Sequence, residues 1–191
     1  MSSANTITLD SRRTQVARVW DIFVRLFHWS LAVSFIFAFF SHHVLSDLHQ
    51  LAGYIAASLV AMRLVWGFIG TPYARFAQFV RGPFAVFAYL RDIVSGREAR
   101  YIGHNPAGGA MVLVLLATLC ATAYSGWLMT TDRYFAVDWV QELHSTLAHG
   151  LLILVLAHLA GVALASLRHR ENLVRAMITG VKRKAAEDDI A

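Results

Sequence analysis

The chain has 191 residues, of which 57% are hydrophobic and 15% are charged, and its formal net charge is +5. Soluble proteins carry about 25% charged residues, so this composition disfavours a soluble helical bundle and predicts one integral membrane domain over residues 1–191. The basic charge does not indicate nucleic-acid binding, because most Lys and Arg residues flank apolar segments, where they contact anionic lipid.

Four long apolar segments follow one another along the chain. Residues 26–46, 101–131 and 143–167 contain no Asp, Glu, Lys or Arg, and residues 48–74 contain only Arg63. A helix of about 20 apolar residues crosses the hydrocarbon core of a bilayer. The sequence therefore predicts an all-α, integral membrane four-helix bundle, with spans near residues 25–45, 48–70, 109–131 and 144–168.

The distribution of basic residues predicts the orientation. Lys and Arg are concentrated before the first span, between the second and third spans and after the fourth, whereas only Arg133 lies in the other two connections. Basic loops stay in the cytoplasm. We therefore expect both termini and the loop 71–108 to be cytoplasmic, in a bacterial inner membrane.

The middle loop and the C-terminal tail differ in pattern. Phenylalanines recur at helical spacing among arginines within residues 75–97, which predicts interfacial helices on the membrane surface; a solvated loop is the alternative. Asn105 and Pro106 are suited to the cap and the first position of the third long helix. The charged tail 182–191 is predicted to be loose.

Four histidines lie inside the predicted spans, where ionisable side chains are costly and indicate function. His144 and His158 are 14 residues apart on the fourth span, so they share one face and lie about 21 Å apart along its axis. His28 lies near the inner end of the first span and His49 at the outer end of the second. Matching the depths pairs His28 with His158 and His49 with His144.

Two imidazoles at each depth predict a haem at each depth. A zinc site needs three or four protein ligands, and no Cys or carboxylate lies nearby, whereas a haem needs only two axial ligands. Two axial imidazoles leave no open position on the iron, which favours electron transfer over oxygen chemistry. The single Cys excludes a Cys-x-x-Cys-His attachment motif, so both groups would be non-covalent haem b. Gly53 and Gly161 either leave room for the porphyrins or serve helix packing.

Five other polar residues have open roles. Arg63 either pairs with a propionate of the inner haem or extends to the lipid headgroups. His104 either contacts a propionate of the inner haem or makes a structural hydrogen bond. His42 and His43 are interfacial residues, with proton release or quinone contact as alternatives. His149 points away from the ligand face of its helix and is not expected to be a ligand.

Three histidine-bearing segments resemble those of the bacterial cytochrome b561 family: FHW at 27–29, LHQLAGYIAASLVAMRLVWG at 48–67 and LHSTLAHGLLILVLAHLAG at 143–161. VWDIFVRLFHW and RYIGHNP resemble the branch with the cytochrome b subunits of nickel-iron hydrogenases. The resemblance covers about residues 18–180; one departure is His149, where the family often has Asn. It implies two b-type haems, quinone-linked electron transfer with ubiquinone or menaquinone, and the axial ligands His28, His158, His49 and His144.

Several function classes remain open. The leading hypothesis is a carrier between the quinone pool and a periplasmic redox protein similar to cytochrome c, with no catalytic residue of its own and with oligomerisation left open. The alternatives are a superoxide oxidase that reduces ubiquinone, a membrane-anchor cytochrome b subunit of a hydrogenase-like complex, and a haem-free scaffold or transporter. An acidic outer surface, net charge −3, would repel superoxide and attract a basic partner; its charged residues are Asp47, Asp132, Asp138 and Glu142 against Arg133.

Overall fold

The structure is a computed structural model, and it describes residues 16–41, 46–186 and 189–190. In chain order its elements are strand β1 (Val16–Arg18), helices α1 (Ile22–Ser41) and α2 (Ser46–Ile69), a short 3₁₀ helix (Pro72–Ala74), helices α3 (Phe76–Phe79), α4 (Pro83–Val94), α5 (Pro106–Leu128), α6 (Asp138–Arg168) and α7 (Leu173–Thr179), and strand β2 (Val181–Arg183). His42 and His43, predicted to be interfacial, lie outside the described residues.

Four helices of the described part of the chain, α1, α2, α5 and α6, are long and apolar enough to cross a membrane. They confirm the predicted four-helix bundle. The bounds of three of them lie within a few residues of the prediction, but α6 begins at Asp138 instead of residue 144. The prediction began this helix later because Asp138 and Glu142 are charged. In the structure Asp138 lies in the first turn, where the helix dipole favours a carboxylate, and Val140 anchors that turn by complete burial.

The long helices pack unevenly. The backbones of α1 and α2, of α2 and α5, and of α5 and α6 approach closely, whereas α6 stays further from α1 and from α2. The outer surface of the bundle is apolar, with exposed side chains such as Val33, Phe40 and Ile153. Helices that are apolar all round suit a lipid environment. The wider gaps beside α6 leave space inside the bundle.

Both ends of the described chain meet at one end of the bundle, which we call the capped end. Strand β1 pairs antiparallel with β2, and Ala17 lies opposite Lys182. The carbonyl of Gly180 accepts hydrogen bonds from the backbone N–H groups of Val19 (2.9 Å) and Trp20 (3.1 Å). The prediction of a loose tail from residue 182 is therefore wrong for residues 182 and 183. The charge of this segment favoured a solvated tail. In the structure, the Lys182 side chain is buried and its backbone pairs with that of Ala17.

A buried ion cluster fastens the tail more firmly. Arg100, whose side chain is 5% exposed, pairs with Glu171 at 2.9 Å and with Asp189. The Arg100 guanidinium also donates to the carbonyl of Arg183 at 2.9 Å. Burial opposes the negative charge of Glu171, but the hydrogen bonds from Arg100 and from the Arg183 N–H leave its pKa below the usual value. The cluster therefore joins the middle loop to both sides of β2.

The middle loop 71–108 contains two helices, α3 and α4, as predicted. Helix α4 exposes Phe84, Phe87 and Val94, an apolar face that suits a membrane surface. The predicted cap of α5 is confirmed, because the Asn105 side chain accepts a hydrogen bond from the Gly108 N–H at 2.7 Å, and Pro106 occupies the first position of the helix. The loop thus packs as part of the capped end.

Candidate functional site

The structure brings the four histidines of the spans together in two pairs. The ring centroids of His28 on α1 and His158 on α6 are 6.5 Å apart, and those of His49 on α2 and His144 on α6 are 6.1 Å apart. These are the same two pairs that depth matching predicts. Each pair spans one of the wider gaps beside α6. Each pair thus places two imidazole rings across the space between α6 and a neighbouring helix.

The ring separations fit a metal between two imidazoles. A bond between a metal and an imidazole nitrogen is about 2 Å long. Two such bonds in line, together with the distance from each nitrogen to the centre of its ring, place the two centroids about 6 Å apart. Within residues 16–41, 46–186 and 189–190, no three His, Cys, Asp or Glu side chains form a group that could hold a metal ion. Two ligands per site suit a haem, which brings four nitrogens of its own.

The pair farther from the capped end, His49 and His144, is oriented by backbone carbonyls. Nδ1 of His49 lies 2.8 Å from the carbonyl oxygen of Ala38, and Nδ1 of His144 lies 3.1 Å from that of Thr122. Because a carbonyl only accepts, each Nδ1 carries the hydrogen, and the lone pair that suits a metal is on Nε2. The hydroxyl of Ser125, itself buried, lies 3.1 Å from Nδ1 of His144. The sequence did not predict these partners.

Three glycines shape the space around the pairs. A Cβ added to Gly126 would lie 3.0 Å from Cε1 of His144, so a glycine is needed for the ring to rest against α5. A Cβ added to Gly53 or to Gly161 would meet no described atom within 4 Å. Gly53 lies one turn after His49, so the open space beside it is on the same side of α2 as that ring. Gly126 is the glycine that sequence reasoning missed.

The pair nearer the capped end, His28 and His158, has different surroundings. Nδ1 of His28 is buried and has no hydrogen-bond partner in the described part of the chain. Arg63 is 3% exposed, so it does not extend to the lipid headgroups. Its Nη2 donates to the carbonyl of Ala74 at 3.0 Å, and its guanidinium lies 5.2 Å from the Phe76 ring centroid. Arg63 therefore points into the protein at the capped end.

The two remaining described histidines with open roles differ from each other. His104 packs against the rings of Phe79 and Trp20, and burial, followed by the charges of Lys182 and Arg63, lowers its pKa to about 3. Its Nδ1 is buried without a partner among the described residues. His149 is exposed, and its Nδ1 lies 2.7 Å from a carbonyl of its own helix. The structure thus leaves His149 outside both pairs.

Comparisons with known proteins identify the family of the chain. Residues 19–180 match the family model described as prokaryotic cytochrome b561. Over 159 residues the chain is 23% identical to the Rhizobium leguminosarum bv. viciae protein named "Probable Ni/Fe-hydrogenase B-type cytochrome subunit", an alignment that covers 70% of this chain and 66% of that relative. The chain thus spans just under two thirds of the relative's length, and no solved structure matches it. Because the family match covers most of its length, the chain belongs to the prokaryotic cytochrome b561 family and is a multi-pass bacterial membrane protein.

Proposed function

We propose that this protein is a di-haem cytochrome b of the bacterial inner membrane that transfers electrons between the quinone pool and a periplasmic redox protein. The observation that carries the proposal is the arrangement of two histidine pairs at two depths of one bundle. The positive-inside rule places the capped end in the cytoplasm. His28 and His158 then hold the inner haem, and His49 and His144 hold the outer haem.

Each residue of the sites has a physical task. Bound haem supplies one-electron oxidation and reduction. The carbonyls of Ala38 and Thr122 hold the rings of His49 and His144, so these ligands keep one orientation in both redox states. With both imidazoles of a pair engaged, each site would serve electron transfer and would not bind oxygen. The apolar helices exclude water, and the small residues Gly53 and Gly161 would leave a porphyrin room beside α2 and α6.

An apolar recess between α1 and α2 supports quinone as the membrane-side reactant. It is lined by Phe23, Ala61, Met62, Val65 and Trp66. Next to it, a carboxylate oxygen of Asp21 accepts a hydrogen bond from the Trp66 indole at 3.1 Å. Burial opposes the charge of Asp21, but hydrogen bonds, first from Thr71, lower its pKa overall. Asp21 is therefore ionised at neutral pH, and its carboxylate can accept a hydrogen bond from the hydroxyl of a quinol, either ubiquinol or menaquinol.

The outer surface supports a basic redox partner. Its four acidic residues are all exposed, and the one basic residue, Arg133, lies over the ring of Tyr134 at 5.5 Å. A negative surface accelerates association with a positive protein and slows association with an anion such as superoxide. The name of the Rhizobium relative favours a second candidate, in which the same surface contacts the enzyme subunit of a hydrogenase-like complex.

Stopped-flow reduction of the haems tests the proposal. We expect electron exchange with a basic cytochrome c to slow at least several-fold as salt rises, because the Debye length falls from about 10 Å at 0.1 M to about 3 Å at 1 M. Neutralising Asp132, Asp138 and Glu142 together should slow the exchange at low salt. Asp92→Asn, which removes a carboxylate at the capped end, is the control and should not change the exchange rate.

Three results would contradict this function. Purified protein without haem b would exclude an electron carrier of this kind. Haem that quinol cannot reduce would exclude the quinone link. A fast reaction with superoxide, together with exchange that does not depend on salt with any basic cytochrome, would favour a superoxide oxidase.

A further inference from the structure

A row of aromatic rings links three basic side chains at the capped end. The row runs through Lys182, Trp20, His104, Phe79, Phe76 and Arg63, with 5.7, 4.7, 4.6, 5.8 and 5.2 Å between successive groups. The three basic residues come from β2, from the turn before α5 and from α2. Distant parts of the chain thus place three nitrogen groups in one apolar environment, which we call the basic cluster: Arg63, His104 and Lys182.

The basic cluster is buried and has unused hydrogen-bond donors. Arg63 is 3% exposed and Lys182 is 7% exposed. Nη1 of Arg63 and Nδ1 of His104 are buried and have no hydrogen-bond partner in the described residues. Nζ of Lys182 reaches the carbonyl of Tyr101 at 3.5 Å, beyond the usual range of an N–H···O hydrogen bond. Buried cations are costly unless they are paired.

The neighbouring carboxylates are already engaged. Asp21 acts on Arg63 through its charge, but it accepts hydrogen bonds from Trp66 and Thr71. Glu171 acts on Lys182, but both of its oxygens accept hydrogen bonds from Arg100. The charges of Arg63 and Lys182 also disfavour a proton on His104. The basic cluster therefore has the chemistry of an anion site.

The basic cluster lies at the same end of the bundle as the inner histidine pair, because His28 is in the second turn of α1, which begins two residues after Trp20. We propose that the cluster binds the propionate carboxylates of the inner haem, so that β2 closes this haem site through Lys182; the inference rests on the function proposed above. Arg and Lys pair strongly with carboxylates in buried surroundings. A lipid phosphate has the same charge chemistry, and the experiment separates the two sources.

Substitution of Lys182 tests the inference in the full-length, haem-loaded protein. Lys182→Met should lower the midpoint potential of the inner haem, because a positive charge beside a haem stabilises its reduced form. The inner haem should also pass to a haem-scavenging protein at least about tenfold faster, as the loss of a hydrogen bond between charged groups predicts. Lys182→Arg should restore both values. Lys184→Met, an exposed lysine in the same tail, is the matched control and should change neither.

His104→Leu gives a second measurement that does not disturb β2, and it should accelerate loss of the inner haem while the outer haem is retained. Inner-haem potentials and loss rates that Lys182→Met and His104→Leu both leave unchanged would overturn the inference. The inference would also be overturned if Lys182→Met lost a co-purified anionic lipid, as measured by native mass spectrometry, while both haems were unaffected. Wild-type protein that binds no haem, or haem that quinol cannot reduce, would instead contradict the proposed function itself.

Discussion

The two histidine pairs each consist of two imidazoles, but they differ in the groups that hold the rings in place. At the outer pair, carbonyls of α1 and α5 fix Nδ1 of His49 and of His144, so the bundle alone orients the rings. At the inner pair, no such partner holds His28 among the described residues, and the nearby polar groups belong to the capped end. The outer pair is therefore held by helix packing, whereas the polar groups near the inner pair come from segments that are far apart in the chain. Damage to one region should leave the other intact.

Removal of a ligand should have the largest effect. His158→Ala and His28→Ala should each lose the inner haem, and His144→Ala and His49→Ala the outer one, because an imidazole on one face alone no longer completes the iron's coordination. A pyridine haemochrome assay should find one haem per chain in place of two, and low-temperature electron paramagnetic resonance should identify which low-spin signal is lost. His149→Ala, exposed on the same helix as two of the ligands, is the control. A single signal lost in both His28→Ala and His49→Ala would overturn the pairing.

Crowding the His144 ring should have the next largest effect. Gly126→Val adds a side chain whose Cβ lies 3.0 Å from Cε1 of His144, so the ring must turn, at a cost of about 1–3 kcal/mol. We expect a reduced content of the outer haem and an unchanged inner haem. Gly150→Val is the matched control, since its Cβ meets no described atom within 4 Å. Equal losses of outer haem in the two variants would show that Gly126 has no special place beside the ring.

Much of this arrangement could be predicted from local sequence. Uninterrupted apolar segments gave the four spans, and the spacing of His144 and His158 gave the two depths, because both patterns follow from the geometry of single helices. The carbonyls that orient the outer rings could not be predicted, since every residue has one. Nor could the burial of Lys182, which depends on pairing with Ala17 at the opposite end of the chain. The pairing of the four histidines was therefore predictable, whereas the surroundings of the inner pair were predictable only in part.

Removal of a charge from the capped end should loosen the tail. The folded protein lowers the pKa of Glu171, so this carboxylate stabilises the fold above its unfolded pKa, and the contribution is lost as the pH falls through the folded value. Glu171→Gln removes it at neutral pH. Breaking a buried ion pair costs about 3 kcal/mol or more, so amide hydrogen exchange at residues 181–183 should rise on the order of 100-fold.

A matched exposed pair controls for the change of charge. Nη2 of Arg91 lies 3.8 Å from Oδ1 of Asp92, and the two side chains are 79% and 41% exposed. Such exposed pairs contribute about 0–1 kcal/mol to the free energy of unfolding. Asp92→Asn should therefore leave exchange in β2 unchanged. Exchange that rises equally in Asp92→Asn and Glu171→Gln would show that the tail is not held by the buried cluster.

The smallest effect should come from the Ser125 hydroxyl. It lies 3.1 Å from Nδ1 of His144 and donates to the Thr122 carbonyl at 2.9 Å, the same carbonyl that accepts from His144. Ser125→Ala removes a secondary acceptor but leaves the carbonyl, so the ring stays in place and becomes a slightly weaker electron donor to iron. The outer potential should rise by less than about 59 mV, the value of a tenfold change for a one-electron couple. Redox titration should find the inner potential unchanged, and a shift of the inner haem instead would mean that the two sites are not independent.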